Sequence, residues 1–129
     1  MVVFTGGEPT LQLKNEEPLL EGRYRAIETN GILEPPNWVE WITVSPKLKL
    51  ANPTGAWFKM NELKVLYGEF DNAYLVELGE KAKKEGIELY IQPMANKDDT
   101  FDIMPALEFA KGHPDWTLSI QYHKLFKIR

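Results

Sequence analysis

The chain has 129 residues, 43% hydrophobic and 26% charged, and its 15 Lys plus Arg against 19 Asp plus Glu give a formal charge of -4. That length and balance fit a single globular domain, residues 1–129, with a sizeable core, and argue against a disordered chain. The mild acidity argues against a nucleic-acid partner. No apolar run approaches the roughly 18 residues of a membrane span and no leader pattern opens the chain, so a soluble, cytoplasmic protein with no membrane role is expected. Cysteine is absent, which removes disulfides, thiolate catalysis and cysteine-held clusters together.

Residues 1–5 form a short apolar, β-rich run that breaks into Gly6-Gly7-Glu8-Pro9. Such a run reads as a buried strand ending in a tight turn whose bare backbone a ligand can approach. Residues 11–20 are weakly helical, with Pro18 shortening or breaking the helix. A second strand over 24–28 ends in Thr29-Asn30-Gly31, a strong turn signal. Pro35 and Pro36 hold the next connection extended.

Residues 41–44 make a third strand, closed by Ser45-Pro46-Lys47, and 48–60 read as a loop. A fourth strand covers 62–67, alternating around Leu63 and Val65. The clearest helix is 74–85, with Leu75, Leu78 and Ala82 on one face and Gly86 as its stop. A fifth strand over 88–91 ends in Gln92-Pro93-Met94. Asp98 or Asp99 can cap a second helix, in whose first turn Pro105 is tolerated, and that helix ends near Gly112-His113-Pro114. Residues 116–120 form a sixth strand.

Strands alternating with helices or long crossovers imply an α/β fold of parallel β-α units, in which ligands gather at the carboxyl ends of strands. The turns after the strands are rich in amides, hydroxyls and a few charges, which suits a polar small molecule. Each turn also has a plainer reading. Gly6-Gly7 alone can be a tight structural turn, with Glu8 a candidate for a cation. Ser45-Pro46-Lys47 is equally a turn, although Ser45 and Lys47 suit a hydroxyl and a carboxylate. Gln92 could read a ligand edge or simply be solvated. His123 could bond a heterocycle or move a proton, whereas His113 reads as a contact at a helix C-terminus. Two distant histidines without cysteine do not make a transition-metal site, and Asp98, Asp99 and Asp102 read as capping or solvated groups. The four tryptophans read as core.

Taken together, Phe4-Thr5-Gly6-Gly7-Glu8-Pro9-Thr10-Leu11-Gln12, Ala26-Ile27-Glu28-Thr29-Asn30-Gly31, Val44-Ser45-Pro46-Lys47, Asn61-Glu62-Leu63-Lys64-Val65, Ile91-Gln92-Pro93-Met94 and Leu118-Ser119-Ile120-Gln121-Tyr122-His123-Lys124 resemble the radical S-adenosylmethionine superfamily. Within it, their order over nearly the whole chain resembles the 7-carboxy-7-deazaguanine synthase family of queuosine and deazapurine biosynthesis. The resemblance implies a partial (β/α) barrel of mostly parallel strands with the N-terminal β-α units missing, and a homodimer. It also implies a carbon–nitrogen lyase chemistry. In the family a [4Fe-4S] cluster reduces S-adenosylmethionine to a radical that acts on 6-carboxy-5,6,7,8-tetrahydropterin, and magnesium aids the ring contraction.

By the same resemblance Gly6, Gly7 and Glu8 would hold the methionine part of S-adenosylmethionine. Ser45, Pro46 and Lys47, then Gln92, Pro93, Met94 and Ala95, would line the rest of that cofactor. Thr5, Gln121, His123 and the terminal carboxylate of Arg129 would meet the pterin. One departure stands out. The family holds its cluster with a cysteine motif, CxxxCxxC or a longer variant, N-terminal to the Gly-Gly-Glu-Pro strand, and this chain has no cysteine. The expectation is therefore the C-terminal part of such a synthase, inactive alone. The alternatives are a cluster-free module that binds S-adenosylmethionine or a pterin, and a structural dimer.

Overall fold

The computed structural model describes residues 1–13, 22–47, 59–96, 100 and 102–121. The chain divides into two compact units, Met1–Leu63 and Lys64–Arg129.

The first unit is built from parallel strands β1 (Val2–Phe4), β2 (Arg25–Thr29) and β3 (Trp41–Val44), with the first residues of β4 (Glu62–Leu66). Register is set by Val3 opposite Ala26, Ile27 opposite Ile42, and Val44 opposite Leu63. Neighbours in sequence are neighbours in space, so all three loops that follow β1, β2 and β3 leave the same end of the sheet. Ala26, Ile27, Ile42, Val44 and Leu63 are buried with Trp38 and Met60. β3 is buried on both faces, as a covered parallel strand requires, and so reads as a near-continuous apolar run, whereas β2 leaves Glu28 exposed. Phe4 meets the Trp38 ring edge-on at 5.5 Å.

In the second unit β4 runs on to Leu66, followed by α1 (Asn72–Lys84), β5 (Glu88–Gln92), α2 (Met104–Gly112) and β6 (Trp116–Leu118). β5 and β6 are parallel, with Leu89 opposite Trp116 and Ile91 opposite Leu118. Helix α1 buries Leu75, Leu78, Gly79 and Ala82. Full burial of a side chain such as Leu75 or Ile91 contributes ~1.5–3 kcal/mol. The partial, parallel α/β architecture expected from the strand and helix alternation is what the chain adopts.

Several boundaries differ from those expected. Helix α1 begins at Asn72 because the Asp71 carboxylate accepts from Tyr74 N at 2.9 Å, a cap typically worth ~1 kcal/mol. It ends in paired bonds from Gly86 N to Lys83 O and from Ile87 N to Ala82 O, which close its last turn. Helix α2 begins at Met104 after Ile103, which provides no side-chain cap, and Asp102 accepts from Met104 N at 3.0 Å; the caps expected at Asp98 or Asp99 lie outside the described residues. Pro105 does fall at its start, where a missing N–H leaves nothing unpaired. Between β1 and β2 the described residues hold one short 3-10 turn, Pro9–Leu11. The rest of the helix expected over 11–20, and most of the loop expected over 48–60, lie outside the described residues. β4 stops at Leu66 and β6 at Leu118, each a little short of expectation. Of the tryptophans, Trp38 and Trp116 are core and Trp41 is half-buried, while Trp57 lies outside the described residues.

Candidate functional site

The loop after β1 is governed by Glu8. Gly6 and Gly7 take φ of +86° and +59°, a left-handed conformation that other residues rarely adopt. Both are exposed, and a Cβ on Gly6 would have no atom within 4 Å. The Gly6 backbone is thus open on the side where a side chain would otherwise stand, whereas a Cβ on Gly7 would meet Gln12 Nε2 at 3.6 Å. Glu8 then closes the turn. Its Oε1 accepts from Thr10 N at 3.2 Å, Thr10 Oγ1 at 2.7 Å and Thr29 Oγ1 at 2.6 Å, and its Oε2 accepts from Asn30 N at 2.8 Å.

Partial burial pushes the Glu8 carboxyl up. The hydrogen bonds from the Thr29 hydroxyl, the Asn30 amide and Thr10 outweigh that desolvation and bring it below the usual carboxylate range. A carboxylate offers about four acceptor positions. Three donors crowd Oε1 and one reaches Oε2, so the acceptor capacity still open is on Oε2.

Thr29, the last residue of β2, is only 4% exposed and joins three loops. Its hydroxyl donates to Glu8 and accepts from Gly31 N at 3.2 Å, and its carbonyl accepts from Ser45 N at 2.8 Å. The start of the loop after β3 is therefore held by the same residue that holds the loop after β1. There Ser45 is half-buried, Pro46 fully buried and Lys47 exposed. Thr5, Gly6, Gly7, Glu8, Ser45, Pro46 and Lys47 are accordingly gathered at one end of the first unit's sheet. Thr10, Thr29 and Asn30 were not singled out as site residues from the sequence. The signal was the Thr-Asn-Gly at the end of an apolar strand, which reads as a turn and only in three dimensions as a clamp.

In the second unit, Gln92 ends β5 and is 7% exposed. A solvated strand-end glutamine, one of its two sequence readings, is thus overturned: the residue is held inside by its place in a covered strand, and its carbonyl accepts from Tyr67 N at 2.8 Å. Pro93 is buried, Ala95 half-buried and Met94 exposed. Gln121 is half-buried, and His123 and Arg129 lie outside the described residues. His113 does act at a helix end: its Nδ1–H donates to Phe109 O at 2.8 Å and its ring stacks on Phe109 at 4.2 Å.

Donor chemistry separates the groups that the family resemblance implies. The exposed Gly6-Gly7 backbone suits the polar end of an amino-acid-like cofactor such as S-adenosylmethionine. An iron–sulfur cluster held by thiolates does not fit, since the chain has none. Among the described residues, no group of three or more His, Asp or Glu side chains could hold a metal ion, and no helix is long and apolar enough to cross a membrane.

Parallel strands, with the Gly6-Gly7 loop at the carboxyl end of β1, define the class, an α/β protein. No protein-family model matches the chain. Curated relatives do, and they share one name. The chain is 39% identical to the 7-carboxy-7-deazaguanine synthase of Burkholderia multivorans over 132 residues, covering 98% of this chain and 59% of that protein. It is 35% identical to the enzyme of that name from Bordetella pertussis, with 98% and 59% covered, and 33% identical to that of Bacteroides thetaiotaomicron, with 99% and 65% covered. The chain is thus a relative of the 7-carboxy-7-deazaguanine synthases along nearly all of its own length, and it spans about 59% of the length of the first of these relatives.

Proposed function

We propose that this chain is the C-terminal portion of a 7-carboxy-7-deazaguanine synthase, carrying the S-adenosylmethionine-binding loops of that enzyme and inactive by itself. The observation that supports this best is the exposed Gly6-Gly7 backbone beside a carboxylate held by four donors, in a chain whose relatives from Burkholderia multivorans and Bordetella pertussis carry that name. S-adenosylmethionine, when bound in a complete enzyme, supplies the hydrogen-abstracting chemistry. This chain's part is to bind and orient. Gly6 and Gly7 offer backbone groups to the methionine end, and the open side of Glu8 Oε2 accepts from its ammonium. Ser45, Pro46 and Lys47 form the neighbouring wall, with Lys47 suited to a carboxylate.

In the second unit, Gln92, Pro93, Met94 and Ala95 are assigned to the same cofactor by resemblance. Thr5 and Gln121, with His123 and Arg129, are assigned to a pterin substrate. Without cysteine, this chain offers an iron–sulfur cluster no thiolate ligand. A cytoplasmic homodimer completes the reading.

The cysteine-free composition favours one second reading, a module that binds S-adenosylmethionine or a pterin without chemistry. Reconstitution with iron and sulfide, then assay of 5'-deoxyadenosine, should give neither cluster absorbance nor product. Turnover by the chain alone would overturn the proposal. Calorimetric titration should show S-adenosylmethionine binding, and its absence would remove the binding role. Mixing with a segment that carries the CxxxCxxC motif separates the two readings: turnover restored in trans supports the synthase portion, and binding that never leads to turnover supports the module.

A further inference from the structure

We infer that Thr29 is the positioning residue of this ligand-binding edge: its hydroxyl fixes the Glu8 end of the Gly6-Gly7 loop while its carbonyl fixes the start of the Ser45-Pro46-Lys47 loop. The inference rests on the proposed reading of these loops as ligand contacts.

The geometry is specific. Thr29 is buried at the end of β2, the strand hydrogen-bonded to both β1 and β3. Its Oγ1 lies 2.6 Å from Glu8 Oε1, a short bond of the charge-assisted kind. The same oxygen accepts from Gly31 N at 3.2 Å, so its proton is directed at Glu8 and not back at its own turn. Its carbonyl takes Ser45 N at 2.8 Å. Thr10 also bonds Glu8, but it sits two residues away on the same loop and orders that loop only within itself. Asn30 reaches Glu8 only through its backbone, which no side-chain substitution removes.

Thr29 is therefore the one side chain among the described residues that ties Glu8 to the central strand of these loops. It touches no ligand in this scheme. Its effect is to hold the open glycine backbone and the Ser45 loop at a fixed separation, the kind of support a binding constellation needs.

Thr29→Val removes the hydroxyl and keeps the shape, whereas Thr29→Ser keeps the hydroxyl. In the 129-residue chain the Glu8 carboxyl is followed by carbon-13 NMR against pH, and S-adenosylmethionine affinity by calorimetry. Thr29→Val should raise the Glu8 titration midpoint and weaken binding at least about tenfold, the scale of losing a hydrogen bond to a charged group. Thr29→Ser should restore both. A Glu8 midpoint unmoved in Thr29→Val, or a Thr29→Ser variant as impaired as the valine one, overturns the inference. If the parent chain binds no S-adenosylmethionine, the proposed function falls, and the carboxyl titration alone then decides whether Thr29 positions Glu8. If Thr29→Val does not fold, native-state hydrogen exchange in the unchanged chain replaces it. Amides of Thr10, Asn30 and Ser45 that open together support the coupling, and independent opening overturns it.

Discussion

Gly31 lies against Val44 so closely that a Cβ added to it would stand 2.6 Å from Val44 Cγ1. Gly31 is buried and has a φ of +77°, so the turn after β2 folds flat onto the last residue of β3. Gly31 N also donates to the Thr29 hydroxyl that holds Glu8, so the contact adjoins that clamp, and it explains why the turn ends in glycine.

Gly31→Ala should therefore destabilise the chain by at least ~2 kcal/mol, combining a left-handed backbone cost with overpacking against a buried valine. Gly22→Ala is the control, since Gly22 also has a positive φ, +70°, but no atom within 4 Å of its added Cβ. It should lose only the backbone part. Denaturant midpoints measure both, and equal losses would remove the Val44 contact as the cause. Combining Gly31→Ala with Val44→Ala should give less than the sum of the two single effects.

This turn also shows how far the sequence could be read. Thr29-Asn30-Gly31 announced a break after an apolar strand, and the parallel α/β layout followed from alternating apolar runs and stops. What local pattern could not convey was the partner of each turn residue, because Glu8 and Thr29 are 21 positions apart and meet only when β1 pairs with β2. Gln92 was ambiguous for a related reason: burial is decided by what covers a strand end. Asp71 was passed over as a cap because the apolar face of α1 starts later than the helix does. Asp98 and Asp99, which read as capping residues, lie outside the described residues, and Ile103 at the start of α2 provides no side-chain cap.

The second unit offers a pair of glycines whose replacement should have opposite signs. Gly79 is inside α1, where alanine normally gains ~1 kcal/mol over glycine. Here an added Cβ would lie 2.8 Å from Trp116 Nε1 and 3.3 Å from Cε2, on a rigid, buried ring. Gly79→Ala should therefore be destabilising, by up to ~2 kcal/mol once the clash is set against the helix gain. Gly112, the last residue of α2, has open space at its Cβ position, so Gly112→Ala should stabilise by a few tenths up to ~1 kcal/mol. Thermal melts of the two variants test this, and a stabilised Gly79→Ala would show that α1 and β6 pack less closely than described.

Lys83 on α1 pairs with Asp115 just before β6 through two 2.9 Å contacts, bidentate but solvated, with side chains 64% and 51% exposed. Exposed pairs gain little because water and salt screen them, so the coupling in a Lys83→Ala and Asp115→Ala double-mutant cycle should be under ~1 kcal/mol and should shrink further in high salt. A coupling well above that, insensitive to salt, would mean that the pair is desolvated in solution.

Acid should loosen the Glu8 clamp in a defined direction. The folded carboxyl is held below its ordinary value of 4.5, because hydrogen bonds from Thr29, Asn30 and Thr10 outweigh the desolvation that alone would raise it. A carboxyl depressed by folding adds stability that is fully present above its unfolded value and is lost as pH falls through the folded one. The contribution should therefore hold at neutral pH and fade below about 4.5 as the protonated acid gives up its acceptor role. Glu8→Gln keeps one acceptor oxygen but cannot titrate. It should lower stability at pH 7 and show a flatter decline with acid than the parent chain, so that the two curves converge at low pH. Denaturant unfolding of both chains across this range measures the effect, and parallel curves would show that Glu8 is no more stabilised by its four donors than by water.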